Sequence, residues 1–119
     1  MNDLTLSSRD VRKLAKIIEF LGFARTEIDH DITAQRVVIL INVCLHEGLS
    51  QNELLQKLEH TSVTALSRNL ADLSNMTSRK MQGPGLLELR NDPLNLRKKR
   101  VYLTKAGKMF LSRWLNTLE

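Results

Sequence analysis

One short segment of the sequence combines short polar groups with a single long cationic side chain. Residues 61–74 predict a helix whose apolar positions Val63, Leu66, Leu70 and Leu73 share one face. The opposite stripe comprises Thr61, Thr64, Ala65, Arg68, Asn69 and Asp72. Arg68 can donate two N–H groups to guanine O6 and N7, the most common specific contact in the major groove of DNA. The segment therefore indicates hydrogen-bonding chemistry directed at base edges.

The neighbouring small residues fit the same chemistry. Thr64 and Ser67 can reach a phosphate or a base, and Ala65 leaves room for a thymine methyl group. Ser62 can help to bind a phosphate, because free backbone N–H groups point outward at the start of a helix. Taken alone, however, the segment also fits any amphipathic helix with a solvated polar face.

A second cluster consists of four consecutive cations, Arg97, Lys98, Lys99 and Arg100. Salt-dependent phosphate binding is the common use of such clusters. Arg97 is the candidate for a narrow minor groove, whereas Lys98 and Lys99 are expected to contact the backbone. Strand alternation places about half of the four on each face, so not all can touch DNA. The alternative is a charged edge strand that blocks aggregation.

Other chemistries find little support in the sequence. His30, His46 and His60 show no i, i+4 spacing suited to a metal, and the single Cys44 lies in an apolar run typical of a core. No G-x-S-x-G motif, C-x-x-C pair or glycine-rich phosphate loop occurs. We therefore expect no enzymatic activity, no metal site and no cofactor.

Composition and charge agree with a nucleic-acid partner. The chain has 119 residues, 42% of them hydrophobic and 26% charged, and a net charge of +5. Residues 1–60 hold 7 Lys/Arg and 9 Asp/Glu, whereas residues 61–119 hold 11 and 4, so the balance moves from −2 to +7. The basic half suggests a polyanion site. The longest apolar run, Val37 to Ile41, is too short for a membrane span, and MNDLTLSSRD shows no signal-peptide pattern, so we expect a cytoplasmic protein without membrane contact.

Periodicity and caps predict five helices and a hairpin. The first helix is expected to begin after Ser7, with Asp10 as capping-box partner, and the third to begin at Ser50. The second is expected to run from Thr33 to about Glu47, and the fourth from Thr61 or Ser62 to about Ser74. The last is expected to begin at Thr104 and to continue through Leu118. Leu86–Arg90 and Arg100–Leu103 predict two short strands. Gly107 in the last helix is locally unfavourable and suggests close packing against a neighbouring backbone.

The order helix, helix-turn-helix, basic hairpin, helix is that of a winged helix. We therefore predict a mainly α fold with a small β-hairpin (α+β) in a single domain, residues 1–119. Within it, residues 33–104 form the DNA-binding winged helix, and residues 1–30 and 105–119 form dimerisation helices. The alternative for these terminal helices is that they pack on each other within one chain.

A partner surface is expected because the terminal helices carry more apolar residues than one small core can bury. The predicted dimerisation residues are Val11, Leu14, Ile18, Leu21, Phe110, Trp114 and Leu118.

From Thr33 to Leu118 the chain resembles the MarR family of winged-helix transcriptional regulators. The resemblance rests on TAQRVVIL, on LSQNELLQKLEHTSVTALSRNLADL and, more specifically, on GLLELRNDPLNLRKKRVYLTKAG. The last piece is similar to the family's wing signature, D-P-x-D-x-R followed by hydrophobic-x-L-T-x-x-G.

The resemblance implies a dimer with interlocking terminal helices, recognition helices in successive major grooves of a pseudo-palindromic site, and wings in the flanking minor grooves. It implies transcriptional control, usually repression, with contacts from Ser62, Thr64, Ser67, Arg68 and Arg97. Such proteins often bind small molecules. Only five aromatic residues are present, so constitutive binding without an effector is the alternative.

Two of the departures from the family pattern concern the wing and the segment before it. Asn95 and Leu96 replace the wing aspartate and the first of its paired arginines, so we expect the wing to lack a stabilising ion pair and either to be looser or to dock differently. The segment SNMTSRKMQGP at 74–84 is longer than usual, either extending the recognition helix or forming a loop, and its Arg79 and Lys80 are candidates for phosphate contacts.

The predicted function is sequence-specific binding of double-stranded DNA by a homodimeric transcriptional regulator, most simply a repressor. The alternatives are a winged-helix module that binds a protein partner in an assembly, and a replication or partition protein with the same DNA interface.

Overall fold

Five helices and one β-hairpin make up the part of the chain that the computed structural model describes, residues 5–119. Their order is α1 (Ser8–Glu27), α2 (Ala34–Leu45), α3 (Gln51–Gln56), α4 (Val63–Asp72), β1 (Leu87–Asp92), β2 (Asn95–Leu103) and α5 (Lys105–Asn116). Residues 1–4 lie outside the described residues. They belong to the predicted domain and to its N-terminal dimerisation segment, and they begin the stretch that shows no signal-peptide pattern. The predicted order of elements is confirmed.

Side-chain caps start the helices where the sequence predicts them. Ser7 and Asp10 form the capping box of α1, and Ser50 and Glu53 form that of α3. Thr33 caps α2 and Thr104 caps α5. Helix α4 is capped by Ser62, not Thr61. Each cap supplies an acceptor for a backbone N–H that has no partner within its helix.

Helix α2 lies at the centre of the core. Its buried side chains are those of Val37, Ile39, Leu40 and Val43. The buried faces of the other elements supply Leu54, Leu66, Leu70, Leu73, Leu86, Leu87, Val101, Leu103, Phe110 and Trp114. Because α2 is apolar on most sides, it can be enclosed by several elements at once.

The C-terminal part of α1 packs against α5 within the chain. Trp114 is 1% exposed, its ring stacks on Phe20 at 4.1 Å, and its Nε1–H donates to the Phe20 carbonyl at 2.9 Å. Phe110 is also buried and lies 5.4 Å from the ring of Phe23. The assignment of Phe110 and Trp114 to a dimer surface is therefore wrong for this conformation, because these rings already have partners in their own chain.

The hairpin is longer than the sequence indicated. The antiparallel register runs from Leu87 opposite Leu103 to Asn91 opposite Lys99, with an irregularity at Asp92. Residues 48–50 extend the sheet at the base of β2, where the Gly48 N–H donates to the Val101 carbonyl and the Val101 N–H to that of Leu49. The four cations thus lie within β2, on the return arm and not at the tip.

The segment between α4 and β1 is a loop, so of the two predicted alternatives the extension of α4 is wrong. Met76 and Gln82 form an isolated antiparallel bridge, and Lys80 turns the chain with a φ of 65°. The helix itself ends at Asp72, two residues before the predicted Ser74.

None of the helices in residues 5–119 combines the length and the apolar composition that crossing a bilayer needs.

Candidate nucleic-acid interface

Helix α4 exposes the predicted recognition stripe. Leu66 and Leu70 are buried beneath it, while Thr64, Ser67 and Arg68 are exposed and Ala65 is half-buried. Within the described residues, the Arg68 guanidinium forms no hydrogen bond or ion pair with the protein. Burial of the leucines on one side of the helix forces this arginine outward, where it is free to meet a ligand.

Ser62 has a structural task at the start of α4. Its hydroxyl oxygen accepts the Ala65 N–H at 3.0 Å, and the side chain is exposed. Its hydroxyl proton stays available for a phosphate oxygen, so the cap and the predicted contact are compatible.

Two members of the predicted outward stripe turn towards the protein. Asn69 is buried, and its Oδ1 accepts the Arg36 Nε–H at 2.9 Å. Asp72 accepts from the Arg36 guanidinium at 2.6 Å. The placement of Asn69 and Asp72 on the DNA-facing stripe is therefore wrong, because Arg36 at the start of α2 draws both against the core.

Arg36 joins three elements through one guanidinium group. Besides Asn69 and Asp72 it meets Asp29, in the turn between α1 and α2, at 3.5 Å. The Arg36 and Asp72 side chains are each 19% exposed, so the ion pair between them is screened less than an ion pair at the surface. Arg36 thereby links α2 to α4.

Asp72 also holds the loop that follows α4. Its Oδ1 accepts the backbone N–H and the hydroxyl of Ser78, each at 2.8 Å. Burial raises the pKa of the Asp72 carboxyl, but the hydrogen bonds from Ser78 and the charge of Arg36 outweigh it, so the pKa lies below its ordinary value. The carboxylate is thus ionised at neutral pH and engaged on both oxygens.

A groove of about 530 Å³ lies between the start of α2, the exposed side of α4 and this loop. Arg68 lines it from the helix, and Ser78 and Arg79 line it from the loop. Arg79 and Lys80 are exposed, and their side chains form no ion pair within residues 5–119. Of the two predicted phosphate-binding residues of the loop, Arg79 therefore shares this groove with α4.

The two faces of β2 divide the four cations. Arg97 and Lys99 share their strand face with the buried Val101, are exposed and form no ion pair within the described residues. Lys98 and Arg100 alternate to the other face, where Lys98 Nζ lies 3.7 Å from a Glu53 oxygen. Alternation thus leaves Arg97 and Lys99 as the free cations of the hairpin.

The expectation that the wing lacks an ion pair is wrong. The Arg100 guanidinium contacts Asp92 at 3.0 Å and Glu53 at 3.4 Å and donates to the Gly48 carbonyl at 2.9 Å. Asp92 therefore supplies the acidic partner that Asn95 cannot. The base of the hairpin is tied to α3 and is not loose.

The tip of the hairpin is apolar. Leu94 is 97% exposed and Leu96 is 73% exposed. The Asp92 Oδ1 accepts the Leu94 N–H at 2.8 Å and so fixes the turn that presents them.

A continuous apolar stripe follows the outer side of the terminal helices. Five of its members lie on α1 and two on or just past α5: Val11, Leu14, Ile17, Ile18, Leu21, Leu115 and Leu118. All are exposed, and Ile18 is 72% exposed. The predicted dimerisation residues other than Phe110 and Trp114 thus remain available to a partner surface.

Cys44 is half-buried in α2. Burial, reinforced by Glu47, raises the pKa of its thiol to about 11, so the sulfur is protonated at neutral pH. A reactive sensor needs the thiolate, and this environment disfavours it. Among the described residues, no three His, Cys, Asp or Glu side chains are grouped so as to hold a metal ion.

Arg36 and Ser78 belong to this region although no sequence pattern predicted it. Arg36 lies within the TAQRVVIL motif, and its spacing from Thr33 gives no sign that it reaches α4. The one available signal was that Asn69 and Asp72 lie three residues apart on a helix, which allows both to meet a single guanidinium group.

Comparison with solved structures identifies the fold. A crystal structure of MarR is 24% identical, with 90% of this chain and 74% of that chain covered and a TM-score of 0.58. A mutant MarR from E. coli complexed with operator DNA is 21% identical over 91% of this chain and 69% of that chain, with a TM-score of 0.62. The PcaV transcriptional regulator from Streptomyces coelicolor, in complex with its natural ligand, is 18% identical over 99% of this chain and 78% of that chain, with a TM-score of 0.55.

No protein-family model and no curated protein matches the sequence. The structural likenesses show that the chain has the winged-helix fold of the MarR regulators, which confirms the predicted fold.

Proposed function

We propose that the protein is a sequence-specific double-stranded DNA-binding transcriptional regulator that acts as a homodimer on a pseudo-palindromic site, in the simplest case as a repressor. The observation that carries this proposal is Arg68, which is exposed on the outer face of α4 and has no ion-pair partner among residues 5–119. The MarR structure bound to operator DNA has the same fold and supports DNA as the ligand. We propose a cytoplasmic location and no catalytic activity as part of the same function.

The residues proposed to contact DNA fall into three groups. Thr64, Ala65, Ser67 and Arg68 face the major groove, and Ser62 faces a phosphate at its edge. Arg97, Lys98 and Lys99 act from the hairpin, with Arg97 and Lys99 contributing more because Lys98 is close to Glu53. Arg79 and Lys80 act from the loop. The free cations of all three groups lie in the basic half of the chain.

The decisive experiment selects bound fragments from the source genome at physiological salt with excess competitor DNA. Discrete complexes on a limited set of sites support the regulator. Arg68→Ala should then cost ~1–3 kcal/mol on a selected site and little on random duplex, because a base contact carries the specificity. The control, Lys108→Ala, removes a cation from α5 and should not change the preference between the two duplexes. Equal losses on both duplexes for Arg68→Ala would mean that Arg68 touches phosphates alone.

The dimer is proposed to form through the apolar stripe of α1 and α5. Ile18→Glu places a charge in the middle of that stripe and should give monomers in sedimentation equilibrium. Leu45→Glu is the matched control, because Leu45 is 70% exposed at the end of α2 and lies outside the stripe. A wild-type protein that sediments as a monomer would overturn the dimer.

The apolar hairpin tip favours a second candidate, a winged-helix module that binds a protein partner. Leu94 and Leu96 expose two large apolar side chains together at this tip, as surfaces that bind another protein do. In that case Leu94→Ser would abolish partner capture while Arg68→Ala would have no effect, and no genomic fragment would be enriched.

A further inference from the structure

The strongest feature outside the recognition stripe is the arrangement around Asp72. A carboxylate beside a DNA-binding helix ordinarily opposes binding, because it repels the phosphates. Here the carboxylate is 19% exposed, and both of its oxygens are engaged within the protein.

The two oxygens of Asp72 have different partners. Oδ2 meets the Arg36 guanidinium, which is itself anchored to Asn69. Oδ1 accepts the backbone N–H and the hydroxyl of Ser78. Asp72 therefore connects the rigid α2–α4 pair to the residue that immediately precedes Arg79.

Further hydrogen bonds give the loop a defined shape. The Lys80 N–H donates to the Thr77 carbonyl at 3.0 Å, and the Met81 N–H donates to the Thr77 hydroxyl at 3.2 Å. The Gly83 N–H donates to the Asn75 carbonyl at 2.9 Å, which closes the loop at its base. Fixing Ser78 thus fixes the direction in which Arg79 leaves the loop.

Arg79 lines the same groove as Arg68 but projects from a different element. Because Asp72 is already paired with Arg36, it leaves the Arg79 charge uncancelled. Because the chain is fixed at the preceding residue, an Arg79 guanidinium that binds a phosphate oxygen gives up less backbone freedom than one on a mobile loop would.

We propose that Asp72 is a positioning residue that strengthens DNA binding by holding Ser78, so that Arg79 binds a backbone phosphate of the duplex whose bases Arg68 contacts. This inference rests on the proposed function. It gives the long loop between α4 and β1 a role as a second contact to the DNA backbone, next to the recognition helix.

The proposal and simple electrostatics predict opposite changes in DNA affinity when Asp72 loses its charge. Removing a negative charge near DNA should tighten binding if Asp72 acts only through its charge. If Asp72 positions Arg79, Asp72→Asn should weaken binding instead, because the single amide oxygen cannot accept from both Arg36 and Ser78. It should also make the negative slope of log K against log salt less steep, by as much as Arg79→Ala does. The expected change is about 0.9 per lost phosphate contact and about twice that for a symmetric dimer.

The experiment measures the affinity of the full chain by fluorescence anisotropy over a range of KCl concentrations, on a selected duplex and on a random duplex. The variants are Arg79→Ala, Asp72→Asn, their combination, and Ser78→Ala, which removes one hydrogen bond without changing charge. We expect the double variant to lose no more than Arg79→Ala alone. Lys108→Ala removes one positive charge from α5, as Arg79→Ala does from the loop. It should keep the wild-type salt slope if only cations in the DNA interface contribute to that slope.

A second measurement separates positioning from a general loss of stability. Duplexes with one methylphosphonate at a time neutralise single phosphates. One position should weaken the wild-type protein but neither Arg79→Ala nor Asp72→Asn. Circular dichroism shows whether each variant is folded, and Ser78→Ala provides the test if Asp72→Asn is not.

The outcomes are distinguishable. Tighter or unchanged binding of Asp72→Asn, with the wild-type slope, overturns the positioning role, and an unchanged slope for Arg79→Ala overturns the phosphate contact. Either result leaves the proposed function intact if the wild-type protein still prefers the selected duplex. A wild-type protein that binds both duplexes equally refutes sequence-specific regulation, while the slopes still test the phosphate contact. A protein that binds neither duplex refutes both.

Discussion

Replacing Gly107 by alanine should destabilise the protein, although glycine is the less favourable residue in a helix. A Cβ at Gly107 would lie 2.1 Å from the Leu86 carbonyl oxygen and 3.2 Å from a methyl carbon of Leu103. The usual contact distance is about 3.5 Å, so the backbone of Leu86 would have to move by more than an ångström, on the order of 1.5 Å.

That movement has a defined cost. The Leu86 carbonyl accepts the Thr104 N–H at 3.0 Å, while the Thr104 hydroxyl donates to the Gly85 carbonyl at 2.6 Å and accepts the Gly107 N–H. Losing the hydrogen bond to Leu86 costs about 1 kcal/mol, and overpacking costs ~1–3 kcal/mol. The helical preference of alanine returns about 1 kcal/mol. We expect a net loss of ~1–3 kcal/mol and a melting temperature lower by about 8 °C.

The assay is thermal and urea unfolding followed by circular dichroism at equal protein concentration. Gly22→Ala is the matched control, because Gly22 also lies within a helix and a Cβ there would meet nothing within 4 Å. It should raise the free energy of unfolding by about 0.5–1 kcal/mol. A Gly107→Ala protein that melts at or above the wild-type temperature would refute the close approach of α5 to Leu86.

Three further predictions concern single side chains. Trp114→Ala should lower the free energy of unfolding by ~3–5 kcal/mol in urea titrations, because the ring is buried against Phe20. A loss of less than about 1 kcal/mol, as a substitution at the surface gives, would contradict that packing. The Cys44 thiol should react slowly with a disulfide reagent at neutral pH and faster as the pH rises towards 11, whereas a rate that levels off near pH 8.5 would show an ordinary thiol. The hydrogen bond from the Leu94 N–H, followed by the contact with Arg100, lowers the pKa of the Asp92 carboxyl. The ionised Asp92 should therefore stabilise the protein fully above about pH 4, and this stabilisation should be lost as the pH falls through the lowered pKa. Asp92→Asn should remove that pH dependence from acid unfolding curves.

Local signals predicted the starts of the helices well. Ser7, Thr33, Ser50 and Thr104 act as caps because a cap depends only on residues within one turn of it. The exposed Arg68 followed from the apolar residues opposite it on the same helix. These parts of the interface were predictable because they depend on short stretches of chain.

Contacts between distant residues were not predictable in the same way. Periodicity shows that Trp114 belongs to an apolar face, but it does not show whether the partner of that face is Phe20 or a second copy. Arg36 meets Asp72 across 36 positions of sequence, and no local pattern encodes that contact. The ion pair of the hairpin was missed because Asp92 replaces a partner that was expected at Asn95.

Strand β2 has hydrogen-bonded neighbours on both sides at one end only, which affects how easily its backbone hydrogen bonds open. At Val101 the strand has a neighbour on each side, β1 and residues 48–50, whereas residues 96–98 stand opposite no residue in the register of the described hairpin. Amide protons near Val101 should therefore exchange with solvent far more slowly than those near Leu96, since backbone hydrogen bonds at an exposed edge break in small, local fluctuations. The hairpin is rigid at its root and compliant at its end, so it can adapt to surfaces of different width without disturbing the core.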